Sequence, residues 1–359
     1  MIKSNTTTSQ PIKFIDLFAG IGGFRYAIQN AAAKSNLTAK CVFTSEIDKD
    51  CQHVYQVNFG DIPHGDITQI APENIPDHDV LLAGFPCQPF SIIGQMRGFE
   101  DTRGTLFFNI ARILEVKKPA AFVLENVKLL VGHDGGRTIK RIMETLKELG
   151  YHADYRIFNA LDFGLPQKRE RIFIVGFRNP VCFDWPKDKI PMKPLSEILE
   201  KDVEDFYYAS EHIKTKRLSK QQPTAEPTIW HENKAGNISA YPYSCALRAG
   251  ASYNYLLLNG ERRLTSREML RLQGFPESFK IVGNYSQTRK QAGNSLPVPV
   301  AQAVLENVLK ACNFSKTIEI YNTDKLIVDG QMRIFEKAQN YEQVPKAKNR
   351  RKIQTAISA

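Results

Sequence analysis

The stretch IKFIDLFAGIGGF, residues 12–24, decides the fold. It opens as an apolar, strand-like run, breaks at Gly20, Gly22 and Gly23, and leads into FRYAIQNAAAK (24–34), whose apolar residues recur at helical spacing. A strand that turns through glycines into a helix begins a βαβ unit. The alternation continues: CVFTSEID (41–48), DVLLAGF (79–85) and AAFVLENV (120–127) read as strands, and TLFFNIARILEV (105–116) as a helix. RTIKRIMETLKELG (137–150) reads as a helix closed by Gly150, followed by strands in YHADYRIFNA (151–160) and RIFIVGF (171–177). The expected class is α/β, a doubly wound, mostly parallel sheet.

The pattern decays after Trp185 and Pro186, where a second texture begins. Residues 187–285 carry scattered Tyr, Ser, Asn and Gly, as in AYPYSCALRAGASYNYLLLNG (240–260), which predicts a smaller, loop-rich domain with short strands. An amphipathic run returns in PVPVAQAVLENVLKAC (297–312), opened by Pro297 and Pro299 as a helix start allows, and is expected to pack back on the first domain. The domains expected are therefore 1–186 plus 286–330, then 187–285, with a basic tail at 331–359 too poor in large apolar residues to order itself.

Composition narrows the function. Of 359 residues 42% are apolar and 24% charged, ordinary for a globular protein, and no apolar run approaches a membrane span or a secretory signal, so a cytoplasmic protein is expected. Six scattered cysteines without CxxC pairs predict neither a disulfide framework nor a metal site. The net charge of +10 is uneven: residues 207–290 hold 13 basic against 6 acidic residues and 331–359 hold 7 against 2, while the remainder is near neutral. A polyanion is the partner such asymmetry suits, although a solvated basic face would look the same.

Four features could carry chemistry. The glycine turn lets a ligand approach the main chain and a helix N-terminus, and Glu46 and Asp48 at the end of the next strand stand where an open α/β sheet sets a carboxylate against ribose hydroxyls. The spacing is GxGG rather than GxGxxG, which argues against a dinucleotide; Asp66 in HGDIT could accept from an adenine amine or simply cap a turn. In GFPCQPFS (84–91) two prolines stiffen a loop around Cys87 at the carboxyl edge of the sheet, and Glu125 ends another strand at that edge. In QKRERIFIVG (167–176) alternation sends Arg169 and Arg171 to one face, able to hold a carboxylate, a phosphate or a base carbonyl. Each has a bland reading too: a tight turn, a buried apolar cysteine, a capped strand end, a charged edge.

Together, in order from about residue 12 to 310, these motifs resemble the cytosine-5 DNA methyltransferases, particularly the bacterial enzymes of restriction–modification systems. DLFAGIGGF, TSEID and GDIT are similar to the family's cofactor contacts, PCQPFS to its catalytic loop, and ENV and QKRERIFIVG to its base-handling motifs. RLTSREMLRLQGFP (263–276) is similar to the motif that organises the recognition domain, and QAGNSLPVPV (291–300) to the closing cofactor motif.

The resemblance implies a Rossmann-like catalytic domain, S-adenosylmethionine as methyl donor, no metal, and double-stranded DNA as partner, with a paired restriction endonuclease and a monomeric enzyme. It implies Cys87 as nucleophile, Glu125 at the ring N3 and exocyclic amine, Arg171 at the base carbonyl and Arg169 in support. Phe18, Gly20, Gly23, Glu46, Ile47, Asp66, Pro86, Leu106 and Asn294 would line the donor, and Arg248, Arg262 and Arg263 would contact DNA. Two positions depart from the family: Ile47 stands where an aromatic is common, and Ala246-Leu247 where Thr-Leu or Thr-Val is common. Methylation of transfer RNA is the alternative within the family. A nicotinamide-dependent oxidoreductase would leave Cys87 and Glu125 unexplained, and a non-enzymatic nucleic-acid-binding protein would not need the glycine turn.

Overall fold

Strand β1 (Ile12–Leu17) is buried along nearly its whole length because the sheet around it is covered on both faces. Its even and odd residues serve two cores: Ile12 and Phe14 face one cluster, Ile15 and Leu17 the other. That explains a near-continuous apolar run where a half-exposed strand would alternate. The computed structural model describes residues 10–86 and 106–314; Cys87 and the basic tail at 331–359 lie outside the described residues.

Helix α1 (Gly23–Lys34), β2 (Ala39–Ser45), α2 (Lys49–Phe59), β3 (Val80–Gly84), α3 (Leu106–Lys117) and β4 (Ala121–Val127) follow in turn. Next come the short α4 (Leu129–Gly132), α5 (Arg137–Glu148), β5 (His152–Asn159), β6 (Gln167–Lys168) and β7 (Glu170–Phe177). The main sheet has the order β2-β1-β3-β4-β7-β5. Strands β2, β1, β3 and β4 pair in parallel, and β7 alone is antiparallel, inserted between β4 and β5. The fold is the expected doubly wound, mostly parallel α/β sheet. Room for β7 comes from Gly176, where a Cβ would lie 2.2 Å from the Phe122 ring.

Helix α2 is not anticipated from the sequence. Its signals are local: Asp48 caps it by accepting from the main-chain nitrogens of Asp50 and Cys51, and Gly60 ends it at φ +81°.

Residues 187–285 are, as expected, short elements in long connections. Helix α6 (Glu211–Leu218), β8 (Ile229–Glu232), β9 (Ile238–Tyr241), β10 (Ser244–Cys245) and β11 (Leu256–Leu258) precede α7 (Ser266–Gln273) and α8 (Tyr285–Asn294). Strands β11, β8 and β9 form an antiparallel sheet, and β10 pairs with β6. This region does not keep a core to itself: Leu247, Leu256 and Leu258 pack in the cluster that holds Phe158 and Phe173. Helix α9 (Val298–Cys312) starts with Pro299 in its first turn and sets Val304, Leu305 and Val308 in that same cluster with Ala27, Ala31 and Ala32 of α1. Lys34 reaches Glu306 at 2.8 Å across the two helices.

Candidate active site

In the order β2-β1-β3 the chain leaves β1 to one side through α1 and returns on the other, so a crevice opens at the carboxyl ends of β1 and β3. A cavity of about 840 Å³ lies there. It is lined from all four parallel strand ends: Phe18 to Ile21 after β1, Ser45 to Asp48 after β2, Gly84 to Pro86 at β3, and Glu125 to Val127 on β4. All nine residues expected at the donor (Phe18, Gly20, Gly23, Glu46, Ile47, Asp66, Pro86, Leu106, Asn294) line it, as do Glu125, Arg169, Arg171 and Arg248. Cys87 follows Pro86 directly in sequence and lies outside the described residues.

At the glycine end the main chain itself is the wall. Phe18 and Gly20 both sit at φ 55°, and Gly22 at φ 88° caps α1. A Cβ on Gly20 would meet nothing within 4 Å, so that face opens to the cavity; one on Gly22 would strike the Phe59 ring at 2.2 Å. Glu46 fixes the loop by accepting from the main-chain nitrogens of Gly20 and Asp48, each at 2.8 Å. Ile47 beside it is 67% exposed, an apolar surface left for a ligand to cover.

Asp48 belongs to the scaffold. It caps α2 and is held by Lys290 at 2.6 Å, so of the two carboxylates at the cavity wall Asp48 is committed to the helix cap and an ion pair, while Glu46 braces the glycine loop. Asp66 does not end a strand but caps a 3-10 turn, Ile67–Gln69, through a 2.9 Å bond from the Thr68 nitrogen, while still lining the cavity.

At the other end, Glu125 is 8% exposed and meets Arg171 at 2.9 Å between Oε1 and Nε. Antiparallel pairing of β4 with β7 sets Arg171 opposite Val127, which brings the two side chains together. Burial pushes the Glu125 carboxyl above the ordinary glutamate value, against the lowering pull of Arg171 and Arg169. Arg169 is 1% exposed and gives its guanidinium to three carbonyls: Leu247 and Gly293 at 3.0 Å and Ser295 at 2.5 Å. Burial, then Arg171, pushes its pKa down to about 9, which leaves it charged at neutral pH. Arg169 therefore touches main chain, whereas Arg171 faces the carboxylate.

A model of the family described as C-5 cytosine-specific DNA methylase matches residues 12–310. The chain belongs to that family. It is a DNA (cytosine-5)-methyltransferase. Among its relatives, the Type II methyltransferase M.NgoBI of Neisseria gonorrhoeae is 59% identical over 296 residues, covering 81% of this chain and 91% of that protein. The Type II methyltransferase M.HaeII of Haemophilus aegyptius is 55% identical over 317 residues, covering 88% and 98%. In fold, the methylase is similar to the Dnmt2 methyltransferase of S. pombe, with a TM-score of 0.62 at 19% identity over 85% of this chain and all of that one. The Entamoeba histolytica methyltransferase EhMeth aligns with a TM-score of 0.64 at 19% identity, covering 84% and 98%.

Two of the arginines expected at DNA are otherwise engaged in the methylase. Arg262 is 6% exposed and forms a two-pronged pair with the fully buried Glu268 at 2.7 and 2.9 Å, so two of the donors expected to face DNA are spent on an internal carboxylate. Glu268 in turn completes the capping box of α7 with Thr265, which makes this an internal brace. Arg263 lies 4.7 Å from the Phe206 ring centre and donates to the carbonyls of Phe206 and Tyr207, pinning a loop instead of standing free. Arg248 is exposed and remains at the cavity wall.

Three features of the site go beyond the roles expected from the sequence, although Asn126 lies in ENV, Gln291 opens QAGNSLPVPV and Arg248 is expected at DNA. Residues 247–250 form part of the cavity wall. Asn126 donates to the Phe85 carbonyl at 2.9 Å, fixing the main chain two residues before Cys87. Gln291, 5% exposed, lines the cavity with an amide nitrogen that has no partner among the described residues.

Proposed function

We propose that this methylase takes its methyl group from S-adenosylmethionine and places it on carbon 5 of a cytosine in a specific short sequence of double-stranded DNA. The observation that carries the reading is one cavity with a main-chain glycine cradle at one end and a buried Glu125–Arg171 pair at the other. The donor fits the first end by chemistry. Glu46 and Asp66 are acceptors for ribose hydroxyls and an adenine amine, Ile47 offers an apolar face, and the orphaned Gln291 amide is a donor suited to an acceptor on the ligand. When bound, S-adenosylmethionine supplies an electrophilic methyl group on a sulfonium.

Carbon 5 of cytosine is a poor nucleophile, so the thiolate of Cys87 adds at carbon 6. The ring π electrons then move toward N3, where Glu125 hydrogen-bonds or protonates the ring. Arg171 holds the base carbonyl and keeps Glu125 in place; Arg169 holds the walls. Carbon 5 accepts the methyl group and S-adenosylhomocysteine departs. Loss of the carbon 5 proton to a base, with breakage of the carbon 6–sulfur bond, restores the aromatic ring and the thiolate. A ring within a duplex cannot reach such a site, so the cytosine is flipped out.

Residues 1–186 with 286–330 then serve catalysis and 187–285 serve target recognition, with Arg248 at the junction. As a Type II enzyme like its relatives, the methylase would act as a monomer in the cytoplasm and protect host DNA from a paired endonuclease. No described helix is long and apolar enough to cross a membrane.

The test is transfer of labelled methyl groups into duplex DNA and into transfer RNA, followed by mapping of the modified cytosines. Label at carbon 5 of one short duplex sequence is expected; label in transfer RNA alone would overturn the reading. At the donor end, Asp66→Ala is expected to weaken S-adenosylmethionine binding by about 1–3 kcal/mol in calorimetry. Glu46→Ala should reach the upper end of that range, because it also frees the Gly20 and Asp48 main chain. Unchanged affinity in both variants would make these carboxylates simple turn residues.

A further inference from the structure

Helix α8 has two working faces, one at the donor pocket and one against a neighbouring loop, with Gly293 bordering both. Gln291 and Asn294 line the cavity, and Lys290 ties the helix to Asp48 at the cap of α2. On another face, Tyr285, Arg289 and Gly293 recur every four residues and meet the segment from Arg248 to Tyr253. At Gly293 a Cβ would lie 2.5 Å from the Ala249 nitrogen and 2.9 Å from the Arg248 carbonyl carbon, so the loop main chain rests directly on the helix. One turn earlier, Arg289 donates to the Ala251 carbonyl at 2.6 Å and sits 4.5 Å from the centre of the Tyr253 ring. One turn earlier again, the Tyr285 ring stacks on Tyr253 at 5.9 Å. The segment itself has no helix or strand between Arg248 and Tyr253. Beside its own turn from the Ala251 nitrogen to the Arg248 carbonyl and the bond from the Arg248 nitrogen to the Tyr255 hydroxyl, it is held by α8, where one guanidinium pairs with a carbonyl and an aromatic face together.

We infer that Arg289 is a positioning residue for target choice: through Ala251 and Tyr253 it holds the Arg248–Tyr253 loop in the shape that meets duplex DNA. Gly293 sets how near that loop stands to the cavity. The inference rests on the proposed reading that this loop faces DNA, and it assigns the control of that loop to a helix whose other face serves the donor.

The experiment compares Arg289→Met, Arg289→Lys and Arg248→Ala in the full chain, measuring KM and kcat on cognate duplex, discrimination against duplexes with one changed base pair, and donor affinity. Arg289→Met loses the charge-assisted bond and is expected to raise KM for cognate duplex about tenfold and to narrow discrimination by a similar factor. Its kcat at saturating DNA and its donor affinity should stay within about twofold, and Arg289→Lys should recover most of the loss. If Arg248→Ala alters site choice and Arg289→Met does not, the inference falls and the reading of the loop stands. If neither alters DNA binding or choice, the reading fails and takes the inference with it. A Met variant whose kcat and donor affinity fall along with KM, without rescue by Lys, would show general loosening and overturn the assignment. Should Met prevent folding, Gly293→Ala tests the same contact from the next turn, where its methyl group must move Ala249; unchanged discrimination there would count against the inference.

Discussion

Cys87→Ala is expected to abolish methyl transfer, with a loss of at least about 10⁴-fold, while S-adenosylmethionine affinity stays unchanged. The first half follows from the addition step, which has no substitute for a thiolate at carbon 6. An unperturbed thiol is ionised to only a few per cent near pH 7, yet it outcompetes any oxygen nucleophile for such a carbon. No other described cysteine is placed to replace it. Cys51 lines the cavity, but burial, then Glu46 and Asp48, push its thiol far above the ordinary range, leaving it uncharged. Burial also pushes Cys41 up to about 11 and Cys312 up to about 12, and neither lines the cavity. The second half follows from the donor end, where the cradle is made by Gly20 and Glu46 after other strands and by Asp66 at the cap of a 3-10 turn. Duplex DNA with 5-fluorocytosine at the target should trap the wild type, because fluorine cannot leave as a proton does. Turnover by the alanine variant, or trapping through a different cysteine, would remove Cys87 from the mechanism.

The residues most legible in the sequence are those whose role is set by a strand end. A parallel strand delivers its last residue to the carboxyl edge whatever the rest of the chain does, so Glu46 and Glu125 could be placed at one edge from the order of strands, whereas Phe18 and Pro86 come with the family resemblance. The glycine turn was legible for a similar reason: φ values of 55° and 88° at Gly20 and Gly22 are a local demand with a local signature. What the sequence hid depends on contacts between distant segments. Arg262 carries the same charge as Arg248, and only the buried Glu268 beside it turns it inward. Asp48 resembles Glu46 in chemistry and place, but the start of α2 and Lys290 claim it. The antiparallel β7 could not be told from a parallel strand, because a strand buried on both faces has the same apolar run in either direction. Residues 247–250 gave no local sign of reaching the cavity, since they are held there by Arg169 and Gly293.

Glu125→Gln is expected to lower kcat by about 10²–10³-fold and to remove the alkaline limb of the pH–rate profile. Glutamine keeps an acceptor oxygen for Arg171, so the buried guanidinium is not left without a partner and the fold should survive. What glutamine cannot do is transfer a proton to the ring. In the wild type burial raises the Glu125 pKa, which favours the protonated form that such transfer needs. The sign follows: the acid form is present below the raised pKa and is lost as pH rises through it, so this residue makes the rate fall on the alkaline side. The thiolate of Cys87 works in the opposite sense, becoming more abundant as pH rises. The wild-type profile should therefore be a bell, and the variant should keep only its rising limb. Arg171 gives the second check. Its 2.9 Å contact lowers the Glu125 pKa, so Arg171→Met, which leaves only Arg169 opposing burial, should raise that pKa further and keep the acid form of Glu125 present to higher pH. If Glu125→Gln retained a bell with an unmoved alkaline limb, that limb would belong to another group, and Glu125 would serve as a hydrogen-bonding partner of the base without donating a proton.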